Sequence, residues 1–143
     1  MGVILDSCIW IGLSTRQFTF SAVVAAARNA SLTTSVITFE ELHFGVQSCA
    51  DPAMRAIRSA YLQRIEAGPI LQLTPLSAAA FGVLSASEKR SGCSPRPRYN
   101  DLWIAAQAIE HGFALLTLNA NDFRNLPGVK LIVLSPVSLD TFA

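Results

Sequence analysis

Short apolar runs rich in β-branched residues alternate along this chain with longer segments of helical composition. That alternation predicts an α/β layer fold: a central, mostly parallel sheet of about five strands flanked by helices on both faces. Three observations carry the prediction. The apolar runs are short, and each is bounded by turn or cap residues, the pattern of buried strands. The stretches between them show alanine enrichment or apolar residues at helical spacing. The 143 residues, 51% of hydrophobic type and only 15% charged, can form one core of ordinary size without staples.

The first strand is expected over Gly2 to Leu5, followed by a short helix through Ile9-Trp10-Ile11. An alanine-rich helix over Phe20 to Asn29 leads to a second strand, Ser31 to Val36. Thr38 to Ser48 places Phe39, Leu42 and Val46 along one side of a helix. Asp51 to Ala67, opened by Pro52, does the same with Met54, Ile57, Tyr61 and Ile65. A third strand over Ile70 to Leu73 precedes helices over Ser77 to Lys89 and Asn100 to His111. Strands over Ala114 to Leu118 and Lys130 to Leu134 complete the order. The one break in composition runs from Arg90 to Arg98 and holds two prolines and a glycine. It reads as a surface loop inside a single domain of residues 1–143, because the roughly 45 residues beyond it cannot build a second core.

Composition also limits the function. Eleven Lys or Arg against ten Asp or Glu give a net charge of +1, so a polybasic arm that binds nucleic acid by bulk charge is excluded. Mean hydropathy is +0.40, yet every apolar run is broken before the roughly 18 residues a membrane span needs, the first by Asp6. A cytoplasmic chain with no membrane partner is expected. Cys8, Cys49 and Cys93 are an odd number without zinc-ligand spacing, and are expected to be reduced, buried, small apolar residues.

Four acids sit at strand ends or helix starts. Asp6 follows Val3-Ile4-Leu5, where it serves equally as an N-cap or as a functional carboxylate. Glu41 lies three residues after Thr38, the spacing of a capping box, and Glu40 beside it suits a solvated face near a helix start. Spacing alone does not choose between these two. Asp101 falls in the first turn of a helix for which Asn100 is the better cap, and the following Leu-Trp-Ile-Ala-Ala leaves little room for a solvated face. Asp122 ends the turn sequence Asn119-Ala120-Asn121-Asp122 after the fourth strand.

In a doubly wound sheet such positions converge on the rim beyond the carboxyl ends of the strands. Two carboxylates about 5 Å apart repel by roughly 3 kcal/mol at an effective dielectric near 20. Four must therefore be protonated, spread apart, or neutralised by a hard divalent cation, for which oxygen ligands favour Mg²⁺ or Mn²⁺ over zinc. The chemistry such a site implies is metal-assisted hydrolysis of a phosphodiester. Assigning four of the ten acids to it leaves six against eleven basic residues elsewhere, a basic surface around an acidic centre.

The ordered set of motifs resembles the PIN-domain ribonucleases, most closely the VapC-type toxins of bacterial toxin–antitoxin pairs. The matching pieces are Ile4-Leu5-Asp6-Ser7 with Ile9-Trp10-Ile11, then Ile37-Thr38-Phe39-Glu40-Glu41-Leu42 with Gly45. Later come Asn100 through Ala108, and Leu116-Thr117-Leu118-Asn119 with Asp122-Phe123. The resemblance implies a PIN-like fold and Mg²⁺-dependent cleavage of RNA, with Asp6 and Asp101 as principal metal ligands, Glu41 as third acid and Asp122 as fourth. It is the alignment that selects Glu41 over Glu40. It also implies supporting roles for Ser7, Thr117 and Asn119, a homodimer, and a cognate antitoxin that blocks the acidic site. Cys8 stands where the family usually has Asn, which substitutes a weaker donor. Arg96 and Arg98, just before the Asp101 helix, are candidates for RNA phosphate contact.

Two other readings are a PIN-fold RNA-processing nuclease and a catalytically weak module that docks RNA or a partner. A phospho-acceptor receiver domain fits less well, because Ser7 and Cys8 follow Asp6 and Lys130 precedes the last strand rather than ending it.

Overall fold

The computed structural model describes residues 1–135, so residues 136–143 of the expected domain lie outside the described region. Strand β1 (Gly2–Leu5) is followed by helices α1 (Ser7–Ser14) and α2 (Phe20–Ala26), then β2 (Ser31–Ser35), α3 (Val36–Gln47) and α4 (Pro52–Glu66). Next come β3 (Ile70–Leu71), α5 (Pro75–Arg90), a 3₁₀ turn over Arg96–Arg98 and α6 (Tyr99–His111). Strand β4 (Ala114–Thr117), a second 3₁₀ turn (Ala120–Asp122) and β5 (Lys130–Val133) end the description.

The five strands form one sheet in the order β3-β2-β1-β4-β5, and every pairing is parallel. Among the described residues the expected mostly parallel sheet is thus wholly parallel. Strand order reverses direction between β1 and β4, the switch point beyond which ligands bind in open α/β sheets.

Period-2 alternation divides the side chains of β1 and β4 between two cores. Ile4 and Leu115 face α5 and α6, where they pack with Leu84, Leu102, Ile104 and Phe123. Val3, Leu5 and Leu116 face the opposite layer with Ile9, Leu13, Phe18 and Val23. A strand buried on both faces reads as a continuous apolar run, which is why these strands were legible. Gly12 is required on the second face, since a Cβ there would lie 2.3 Å from the Phe18 ring. Gly112, at φ 66°, ends α6 in the left-handed conformation.

Four local expectations are corrected. The helix expected from Thr38 begins at Val36, because Ser35 caps it, its hydroxyl accepting the Ile37 N–H at 3.0 Å. Thr38 is therefore inside the first turn and forms no capping box with Glu41. Its hydroxyl is buried without a partner. Asn100 is not the cap of α6, because the 3₁₀ turn runs straight into the helix and leaves Arg98 at the N-cap with no side-chain capping bond. On α4 the buried residues are Leu62 and Ile65, while Ile57 is exposed. The cysteines are free, but Cys8 and Cys49 are half-buried and Cys93 is exposed, so none is fully buried, although Cys8 packs against the second core.

Candidate active site

Asp6 sits one residue past β1 and is only 5% exposed. It does both things the sequence left open. As the N-cap of α1 its Oδ1 accepts the Ser7 N–H at 2.8 Å, and its Oδ2 faces across the switch point, accepting the Thr117 hydroxyl at 2.9 Å. Its own N–H donates to the Leu116 carbonyl at 3.0 Å, which extends the β1–β4 ladder into the site. Burial pushes the Asp6 carboxyl above its usual range, and the charge of Asp122 adds to it; the bonds from Thr117, Ser7 and Cys8 act against both.

Cys8, the second residue of α1, bridges the same crevice. Its thiol lies 3.5 Å from Asp6 Oδ2 and 3.5 Å from the Thr117 hydroxyl, and it accepts the Leu118 N–H at 3.3 Å. The thiol is raised by burial and by the neighbouring Asp6 charge. Beyond β4, Thr117 also accepts the Asn119 N–H at 3.1 Å, and the Asn119 amide donates to Asp122 Oδ2 at 2.9 Å. Thr117 thus holds Asp6 directly and, through Asn119, is connected to Asp122.

Glu41 projects from the second turn of α3, half-buried and free of the cap that Thr38 would have imposed. Burial, then the charges of Asp6, Asp101 and Glu40, raise its carboxyl to about 7. Asp101, in the first turn of α6, is raised to about 6 by burial and by Asp6 and Asp122, with Arg98 opposing. Electrostatic coupling therefore links all four expected acids at one end of the sheet.

Among the described residues, however, no three His, Cys, Asp or Glu side chains are gathered so as to hold one metal ion as they stand. Like charges without a counter-ion relieve repulsion by separation and protonation, and the raised Glu41 and Asp101 display the second of these. The donor set still fits a hard cation in its chemistry, since it is all carboxylate oxygen with hydroxyl and amide support.

Glu41 and Asp101 open onto a cleft of about 370 Å³ lined also by Arg96, Pro97, Tyr99 and Asn100. The two arginines proposed for RNA separate here. Arg98 pairs with the buried Glu88 of α5 at 3.2 Å and is not among the cleft's lining residues, whereas Arg96 lines the cleft and is exposed. A larger hollow, about 710 Å³, lies between α1, α2 and α4, walled by Trp10, Leu13, Phe18, Phe20 and Tyr61 with Arg16 and Arg64. It contains none of the acids. Glu88 as an anchor and Tyr99 as a cleft wall were not anticipated; a pairing across ten residues and a loop leaves no periodic signal.

Residues 3–129 match the PIN domain model. Ribonuclease VapC5 of Mycobacterium tuberculosis is 30% identical over 129 residues, 90% of each chain, and Ribonuclease VapC4 of the same organism is 29% identical over 129 residues, 90% of this chain and 94% of that one. Among solved structures, VapBC-5 from Mycobacterium tuberculosis superposes with a TM-score of 0.73 at 27% identity, covering 92% of this chain and 98% of that one. VapBC2 from Rickettsia felis, bound to a DNA fragment from its promoter, gives a TM-score of 0.78 at 22% identity over 92% and 97% of the chains, a likeness of fold. An all-parallel five-stranded sheet with acids at its switch point, matched along nearly its whole length by one family model, places this chain in the PIN-domain family, among relatives of the VapC type.

Proposed function

We propose that this chain is a metal-dependent endoribonuclease and the toxin of a toxin–antitoxin pair, hydrolysing RNA at the centre formed by Asp6, Glu41, Asp101 and Asp122. The observation that carries the reading is the electrostatic coupling of these four acids at the β1–β4 switch point. The naming of the VapC4 and VapC5 relatives as ribonucleases supports it.

Asp6 and Asp101 would be the principal holders of a Mg²⁺ or Mn²⁺ ion, with Glu41 and Asp122 completing the set. The chemistry a bound divalent ion supplies is neutralisation of phosphate charge and acidification of a water nucleophile. This chain's own residues orient and exchange protons. Thr117 and the Ser7 N–H fix both oxygens of Asp6, so its carboxylate is oriented before any ligand arrives. Asn119 does the same for one oxygen of Asp122. Without a bound ion the Glu41 carboxyl is raised to about 7, so a proton and a divalent ion compete for it near neutral pH.

An antitoxin is the proposed protein partner, and the apolar hollow between α1, α2 and α4, with Arg16 and Arg64 on its wall, is a surface such a partner can cover. A homodimer is proposed on the exposed apolar residues Leu76 and Val83 of α5 and Phe44 of α3. No helix among the described residues is long and apolar enough to cross a membrane.

The test is hydrolysis of RNA by the purified protein with Mg²⁺, compared with Asp101→Asn. In-line attack by water at phosphorus, with the P–O3′ bond breaking and the 3′-oxygen leaving as a hydroxyl, gives a 5′-phosphate and a 3′-hydroxyl, and Asp101→Asn should lose the activity. Equal cleavage by both proteins would assign it to a contaminant and remove the reading.

A further inference from the structure

We propose that the cleft beside Glu41 and Asp101 is a subsite for one unpaired nucleotide of an RNA strand, its base stacked on Tyr99 and an adjoining phosphate held by Arg96. The proposal rests on the nuclease reading and names the residues that would hold the strand beside the acids. Tyr99 is the first residue of α6, two positions before Asp101, so the ring and the acid share one helical turn. Tyr99 is 43% exposed and lines the cleft, yet its ring is not loose. It meets Phe81 of α5 edge-on, with centroids 5.4 Å apart, and Phe81 in turn stacks on Trp103 at 4.1 Å. An aromatic ring anchored on one side and open on the other is a stacking platform that loses little freedom when a base lands on it.

Arg96 belongs to the 3₁₀ turn that leads into Tyr99. The Arg98–Glu88 pair at 3.2 Å pins that turn to α5. Arg96, by contrast, makes no ion pair among the described residues and is the cation that lines the cleft. Asn100 adds an amide donor and acceptor for a base edge. At about 370 Å³ the cleft suits one nucleotide unit and not a helix. Bases inside an A-form duplex are stacked on their neighbours and offer no free face, so the subsite takes loops, bulges or ends. Stacking accepts any base, so Tyr99 contributes affinity for unpaired strands without fixing sequence.

The experiment measures binding of a short labelled oligoribonucleotide by fluorescence polarisation, in protein carrying Asp6→Asn so that the strand stays intact; Asn preserves the cap. Tyr99→Ala should weaken binding roughly tenfold and Tyr99→Phe should restore it. Arg96→Gln should reduce the slope of log affinity against log salt by about 0.7, one single-strand phosphate contact. The same strand annealed to its complement should bind more weakly and ignore Tyr99→Ala. Unchanged affinity in Tyr99→Ala, or preference for the duplex, overturns the subsite even if the unsubstituted protein cuts RNA. Conversely, Tyr99-dependent binding by a protein whose unsubstituted form cuts no RNA with Mg²⁺ removes the nuclease reading and leaves the subsite standing.

Discussion

Thr117 donates its hydroxyl to Asp6 Oδ2 at 2.9 Å across the boundary between β1 and β4, joining the carboxyl ends of the two strands that flank the switch point. Thr117 is fully buried and Asp6 nearly so, and a hydrogen bond to a buried charged group contributes more than one on the surface. Thr117→Val keeps the shape but removes the donor. Urea unfolding at pH 8 should show a loss of about 1.5–3 kcal/mol, and Thr117→Ser should recover most of it. Equal stability of the Val variant would mean that Asp6 is held by Ser7 and Cys8 alone.

The raised acids make the metal-free protein sensitive to pH in an unusual direction. Glu41 is raised to about 7 and Asp101 to about 6, both above their unfolded values. Between about pH 4 and 7 the folded chain therefore binds more protons than the unfolded chain, and their contribution to stability is present at low pH and lost as pH rises through the folded values. In EDTA, denaturant unfolding should show lower stability at pH 8 than at pH 5.5 from these two groups. Glu41→Gln should flatten that slope while raising stability at pH 8. A variant with the parent's pH slope would show that Glu41 titrates normally.

The same protons report metal binding. A divalent ion competes with them for the carboxylates, so loading the site at pH 6.5 should release protons into solution. Titration calorimetry with Mg²⁺ or Mn²⁺ in two buffers of different ionisation enthalpy measures that release as a difference in apparent heat. Asp101→Asn should bind more weakly, and Glu41→Gln should release fewer protons. Binding with no buffer dependence would place the ion away from Glu41 and Asp101.

How much was legible from sequence follows from which forces act locally. Strands β1 and β4 were readable because burial on both faces leaves apolar runs ended by the site residues Asp6 and Thr117. Glu41 was not separable from Glu40 by spacing, because the capping box drawn from Thr38 competes with a cap three residues earlier. Ser35 wins that competition, since it ends β2 and also donates its hydroxyl to Gln107 of α6. The coupling among the acids, the Glu88–Arg98 pair and the Tyr99–Phe81–Trp103 stack join residues distant in sequence, so they became visible only once the chain was folded.

Gln107 is where the placement of Glu41 and Asp101 meets stability. It is fully buried on α6, accepts the Ser35 hydroxyl with Oε1, and donates from Nε2 to the carbonyls of Leu71 at 3.0 Å and Gln72 at 3.2 Å. One amide thus ties the helix that carries Asp101 to the cap of the helix that carries Glu41 and to the edge strand β3. Gln107→Ala opens a cavity and leaves a hydroxyl and two carbonyls without their donor or acceptor. The expected loss is about 2–4 kcal/mol, read as a fall in the urea midpoint. Gln107→Leu fills most of the volume without restoring the bonds, so a loss nearly as large is expected if the bonds dominate. Stability close to the parent in Gln107→Leu would show that volume, and not the amide, holds α3 against α6.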